Sequence, residues 1–451
     1  MRLTIPAAML AALVMACAAA PAAALDPPVV VAGPTPPDGA PGPELPTKQD
    51  KGCLATGVLR DSDLTQVPPP DRALDLRRAR ALSRGAGVSV AIVDTGVSPS
   101  PRLPNLTGGG DYIAAGGDGL SDCDAHGTLI AGIIGGAADS GDGFAGVAPD
   151  AKLISIRYHS GAFRADLPAS SDPNQQVNLD VRALARAITH AANLGAGVIT
   201  VALPVCMAAD AHVDQSIVSA AIAYAVHVRG ALIVAGAGDT GSSGCEQNPP
   251  IDPGRPADSR NWAAVKTIST PGWFAPDVLA VGFTNANGAA MTDSLGGPWV
   301  SVAAPGAGIE SLGPGGGGVI NGVGEPDKLV AVGGASFAAA YVSGVAALLR
   351  SRFPNETPSE IASRLTASAH SPAGGVDNTV GAGVIDPLAA LSYRTPPKPP
   401  VGLFRWSSLT MPEPPRPRDY RPAAVATIVV VVAVLLGLGA SYANSVIGRR
   451  R

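Results

Sequence analysis

Val90-Ala91-Ile92-Val93-Asp94-Thr95-Gly96-Val97 opens with β-branched and small apolar residues and then stops at a carboxylate and a glycine. With Val88 and Ser89 ahead of it, the run predicts a strand that delivers Asp94 to a turn at its end. The same short pattern returns as Leu153-Ile154-Ser155-Ile156, Val198-Ile199-Thr200-Val201 and Leu232-Ile233-Val234-Ala235. Val278 to Phe283 and Trp299 to Ala303 continue it. Between these runs, Asp180 to Leu194 places Val181, Leu184, Ile188 and Ala192 on one helical face. Val213 to Val228, Ser336 to Phe353 and Pro358 to Ser368 read as further helices. Strands alternating with helices predict an α/β fold, a parallel sheet with helices on both faces. No internal repeat is evident.

Outward from this body, both ends change character. The chain has 451 residues, enough for a large core, and its net charge of −4 with 15% charged residues offers no basic field for nucleic acid. Residues 1–24 read as an export signal: Arg2 gives a positive start, an apolar stretch runs from Ala7 to Ala20, and Ala22-Ala23-Ala24 offers a cleavage site. An uncleaved anchor is the competing reading, weakened by the short apolar stretch. Residues 25–52 form a Pro-rich extension, expected to be extended rather than packed. Residues 53–395 hold the globular body, and 396–422 form a second Pro-rich linker. Residues 423–443 are uncharged and apolar over bilayer-spanning length, so a single C-terminal transmembrane helix is predicted. The tail 444–451 ends in Arg449-Arg450-Arg451, which by the positive-inside rule stays cytoplasmic and puts the body outside.

Three segments carry chemistry: Asp94 at its strand end, Asp124-Ala125-His126-Gly127-Thr128 before an apolar run, and Gly333-Gly334-Ala335-Ser336-Phe337-Ala338-Ala339-Ala340 opening a helix. Singly, each has a bland reading as a turn cap, a structural histidine or a common Gly-x-Ser. Together, in the order Asp, His, Ser, they resemble the subtilisin-like serine proteases. Gly143-Phe144-Ala145-Gly146-Val147-Ala148-Pro149 and Gly381-Ala382-Gly383-Val384-Ile385-Asp386 extend the resemblance over about Gly87 to Ala390. It implies that Ser336 is a nucleophile, His126 its general base and then acid, and Asp94 the group that orients and stabilises the imidazole. It also implies that the Ser336 backbone N–H serves the oxyanion. No cofactor is implied, and no metal is expected, because Cys and His lack zinc-like spacing and no acidic loop has calcium spacing.

A narrower resemblance is to the mycosins, membrane-anchored proteases of type VII (ESX) secretion systems. It rests on the leader, the Pro-rich extension, Asp122-Cys123-Asp124-Ala125-His126-Gly127-Thr128-Leu129 and the terminal helix with its basic end. The resemblance implies an extension that wraps the catalytic domain, protein or peptide substrates, and other secretion-membrane components as partners. Of five cysteines, Cys17 lies in the leader; the other four suit disulfides in an exported protein, with the pairing left open by the sequence. Carried over from the mycosins, the pairs are Cys53–Cys123 and Cys206–Cys245. Peptide substrate is expected to lie along Leu203-Pro204-Val205, although Pro204 has no N–H to offer.

One departure matters for rate. Where such proteases carry an oxyanion-hole Asn, Ala235-Gly236-Ala237-Gly238-Asp239-Thr240-Gly241 has Asp239. An ionised carboxylate accepts hydrogen bonds but donates none, and loss of one such donor costs on the order of 10²–10³ in turnover. Only a protonated Asp239 could donate. Ala335 and Ala340 replace the usual Thr and Pro beside the nucleophile without touching the trio. Two functions follow as expectations: a slow endopeptidase, or a weak or inactive protease acting mainly as a structural cap of a secretion complex.

Overall fold

The computed structural model describes residues 25–393, except 32, 34, 167–171, 173, 242–243 and 317, together with a separate helix at 421–447. The predicted signal, nearly all of the second linker and the final basic residues lie outside the described residues.

Seven parallel strands form the central sheet: β1 (Ser89–Asp94), β2 (Leu106–Asp111), β3 (Lys152–Arg157), β4 (Val198–Val201), β5 (Leu232–Gly236), β6 (Val278–Thr284) and β7 (Val300–Pro305). Their spatial order is β7-β6-β5-β4-β1-β3-β2. Side chains alternate between two cores, as a period of two requires. Val90, Ile92, Leu232 and Val234 pack on one face, while Ala91, Val93, Ile233 and Ala235 pack on the other. The first face is covered by α1 (His126–Gly135) and α4 (Ala335–Arg352), the second by α2 (Gln175–Asn193) and α3 (Ser216–Ala223). The architecture is therefore a subtilisin-like parallel sheet with helices on both faces. Because the chain leaves β1 for the far edge and later returns to its other side, strand order reverses at β1, and the end of that strand lies where open α/β sheets place their ligands.

The predicted helix at Val213 starts three residues later, because Asp214 Oδ1 accepts from Ser216 N at 2.9 Å and fixes a turn ahead of it. Its last turn, Tyr224–Val228, is π-helical. Strand β2, sequence Leu-Thr-Gly-Gly-Gly-Asp, was not expected; it lacks β-branched periodicity and forms the sheet edge. α5 (Pro358–Ala367) closes the body, its Thr357 and Glu360 forming a reciprocal capping box.

The extension is extended, as expected, yet it is packed. Leu25 and Val30 lie against the second core, and Asp38 meets His190 Nδ1 at 3.0 Å and Asn193 Nδ2 at 2.7 Å on α2. Thr47–Gln49 pairs antiparallel with Phe163–Ala165, and Ala55–Gly57 joins a small sheet with Gly322–Glu325 and Lys328–Ala331. In its own unit, the helix Arg421–Ile447 contains an apolar window, Val425–Tyr442, with mean hydropathy 2.4. Length and composition suffice for crossing a bilayer.

Candidate active site

Asp94, fully buried, ends β1; its Oδ1 accepts from Thr95 N and from His126 Nδ1, each at 2.7 Å. His126 is the first residue of α1, and the residue before it, Ala125, is buried with φ of 62°. That left-handed conformation is strained for alanine and turns the chain sharply into the helix. Gly127 permits the approach: a Cβ there would lie 2.0 Å from the Gly96 carbonyl oxygen. Because the Asp94 carboxylate can only accept, Nδ1 of the neutral ring carries the proton and Nε2 is left as an acceptor. Ser336, the second residue of α4, presents its Oγ 2.8 Å from that Nε2. Three residues separated by up to 242 positions thus form one hydrogen-bonded chain.

Burial opposes a charged His126, but the Asp94 charge and its hydrogen bond outweigh it, with Asp122 and Asp239 adding to them, so the imidazole pKa is raised above its usual value. Asp122 was not singled out from the sequence. It is buried, with its pKa pushed up to about 6 by that burial, and it organises the loop before the histidine. Its Oδ1 accepts from Thr95 Oγ1 and Asp124 N, and its Oδ2 from Thr128 N and Thr128 Oγ1. Thr95 Oγ1 accepts in turn from Gly127 N at 2.9 Å. The signal for this support was present, since Thr95, Asp122 and Thr128 all lie inside the quoted motifs. Phe337 packs beside the imidazole with ring centroids 5.2 Å apart.

Across the cleft, Asp239 follows β5. Its Oδ1 accepts from Ala335 N at 3.0 Å, immediately before Ser336. Gly334, with φ of 143°, has no Cβ to block this contact; one would fall 2.9 Å from Asp239 Oδ1. Burial raises the Asp239 pKa most, Asp293 adds to that, and the Ala335 N–H and His126 pull against it. The carboxylate therefore stands beside the start of α4, where backbone N–H groups favour negative charge.

Leu203, Pro204 and Val205 line a pocket of about 420 Å³ together with Asp239, Asp180 and Cys245. The Leu203 carbonyl accepts from the Tyr158 hydroxyl. Disulfides join Cys53 to Cys123 and Cys206 to Cys245. The first ties the end of the extension to the loop before His126, and Leu54 N donates to Cys123 O at 2.9 Å beside it. Among the described residues, no group of three or more His, Cys, Asp or Glu side chains could hold a metal ion.

The profile of the Subtilase family matches residues 85–383. Mycosin-1 of Mycolicibacterium smegmatis is 46% identical, over 96% of this chain and 96% of its own length. The chain is a mycosin, within the subtilase family. Among solved structures, MycP1 from Mycobacterium smegmatis superposes with a TM-score of 0.79 at 47% identity, covering 85% of this chain and all of that one. A chain of the intact ESX-5 inner membrane complex does so with a TM-score of 0.79 at 44% identity, covering 93% of this chain and all of its own. By family this mycosin is a subtilisin-like serine peptidase.

Proposed function

We propose that this mycosin is a membrane-anchored serine endopeptidase of a type VII secretion complex, cleaving exported proteins through Asp94, His126 and Ser336, slowly because of Asp239. The observation that carries the reading is the chain of hydrogen bonds from buried Asp94 through His126 to Ser336 Oγ, 2.7 and 2.8 Å long. In this reaction Ser336 Oγ attacks the scissile carbonyl as Nε2 takes its proton. The imidazolium that forms is stabilised by Asp94, which does not itself take the proton, and Nε2 then protonates the leaving amine. Water enters against the acyl-enzyme by the same route in reverse. The Ser336 N–H at the start of α4 supports the oxyanion, while ionised Asp239 repels it.

Localisation follows from the ends of the chain. Leader 1–24, helix 423–443 and a basic tail at 444–451 support an anchored protein whose body faces the extracytoplasmic side. The likeness to a component of an ESX-5 inner membrane complex supports secretion-membrane proteins as partners. Residues 53–395 then form the peptidase domain, with 25–52 as its wrapping extension, 396–422 as the linker, and Leu203-Pro204-Val205 as one wall of the substrate cleft.

The test is a fluorophosphonate probe on the detergent-solubilised full chain. Ser336-dependent labelling is expected between about pH 5 and 8, the range set by a histidine base. No labelling sinks the enzymatic reading. Asp239 favours a second one, in which the protein acts mainly as a structural cap; a Ser336→Ala chain then still supports secretion in cells lacking the wild type.

A further inference from the structure

Asp239 stands on the wall between two pockets. On one side is the pocket lined by Leu203, Pro204 and Val205. On the other is a pocket of about 520 Å³, bounded by Asp239, Thr240, Met291, Asp293, Gly306 and Val332. Asp239 and Ser294 form an antiparallel bridge, and Thr240 N donates to Asp293 O at 2.9 Å, so the two segments run side by side along this second pocket. The Ala335 N–H holds Asp239 Oδ1, and among the described residues no hydrogen-bond donor meets Oδ2. No lysine or arginine is among the described residues that line these two pockets or the adjoining cleft at His126, whereas Asp124, Asp180, Asp239 and Asp293 all are.

Of the groups around Asp239, His126 gains positive charge during the reaction, but that imidazolium is held by Asp94. The cleft itself contains no lysine or arginine, so a substrate side chain is the remaining source of a cation beside Asp239. We propose that Asp239 is a specificity-determining residue: it receives a lysine or arginine side chain of the substrate next to the scissile bond, seated between Asp239 and Asp293. This inference rests on the proteolytic reading above. If the acyl part of the substrate lies along Leu203–Val205, the pocket on the far side of Asp239 takes the leaving-group side. A basic residue there neutralises Asp239 and places its own N–H donors near the developing oxyanion, replacing the amide that the chain lacks. Peptides without such a residue meet the bare carboxylate and are cut slowly. The feature that handicaps the enzyme on ordinary peptides thereby selects its substrates.

The experiment compares peptides that differ only at the residue after the scissile bond, using the solubilised full chain. Lysine or arginine there is expected to exceed leucine in kcat/KM by at least about tenfold, with glutamate lowest, and added salt should narrow the ratio. Asp239→Asn should raise turnover of the leucine peptide and cut the basic preference several-fold, leaving at most the part that Asp293 supplies. Equal kcat/KM for lysine and leucine peptides overturns the proposal, as does a basic preference that is unchanged by Asp239→Asn. A readout free of turnover keeps the two readings apart: a Ser336→Ala chain should bind the lysine peptide more tightly than the leucine peptide in fluorescence anisotropy. Equal binding refutes the cation site. Tighter lysine binding with no fluorophosphonate labelling of the wild type refutes the protease reading and leaves the site standing.

Discussion

Asp122 and Asp239 stand on opposite sides of the cleft, and burial raises the pKa of both. Asp122 accepts from Thr95 just after β1, from Asp124 in its own loop and, twice, from Thr128 in the first turn of α1. Asp239 accepts from Ala335 N alone among the described donors and otherwise faces the cleft. The first carboxylate is absorbed by structure, and its charge is spent on orienting a neighbour. The second has no such set of donors and faces the place where the proposed reaction generates negative charge. The contrast teaches that the proposed base side and the proposed oxyanion side are assembled from different segments, so the order of one says little about the other.

The largest effect that tests this contrast falls on the base side. Asp94→Asn should keep the fold but present the wrong imidazole tautomer, lowering kcat by about 10⁴ in peptide hydrolysis. A loss under tenfold would remove His126 from the role of base. Next in size is Asp239→Asn. The amide oxygen can keep the bond from Ala335 N while its nitrogen gains a donor, so kcat on a neutral peptide should rise by about 10²–10³. An unchanged rate would mean that the oxyanion is served elsewhere. Gly127→Ala then probes the support of the histidine, since a Cβ there would lie 2.0 Å from the Gly96 carbonyl oxygen. It should lower stability by about 1–3 kcal/mol in denaturant unfolding and reduce fluorophosphonate labelling.

The smallest effect is on stability against pH. Asp122 and Asp71, both buried, have pKa values pushed up to about 6. The folded state therefore holds protons that the unfolded chain releases near pH 4. Their stabilising contribution is complete below that point and is lost as pH rises through about 6. The raised pKa of His126 acts in the same direction. The thermal midpoint should therefore be higher at pH 5.5 than at pH 7.5, and Asp122→Asn should shrink the difference.

Most of the fold was legible because the buried strands are short runs of Val, Ile, Leu and Ala with helices between them. Strand β2 escaped because Thr107-Gly108-Gly109-Gly110 has no side-chain period to read; its place is fixed by pairing with β3. The docking of the extension escaped for a related reason. Polyproline segments have no internal hydrogen bonds, so docking depends on isolated side chains such as Leu25, Val30 and Asp38 and on short backbone contacts such as Thr47–Gln49, none of which leaves a period in the sequence. At the site, Asp94, His126, Ser336 and Asp239 each lie in a contiguous motif and could be named in advance. Asp293 could not, because it meets Asp239 only through the neighbouring loop, and a pocket without lysine or arginine is a property of three dimensions.

Cys123 lies between Asp122 and Asp124, three residues before His126, and its partner Cys53 lies at the end of the extension. In a reducing compartment both sulfurs remain thiols. The loop that aims the imidazole then lacks its covalent tie, and the two ends of a segment spanning 70 positions of sequence are free to part. Oxidation closes that segment and restricts the unfolded chain by about 4 kcal/mol. The setting of the histidine is thereby coupled to the chemistry of its surroundings: with the body outside the membrane, as proposed, the staple closes once the polypeptide has left the reducing cytoplasm.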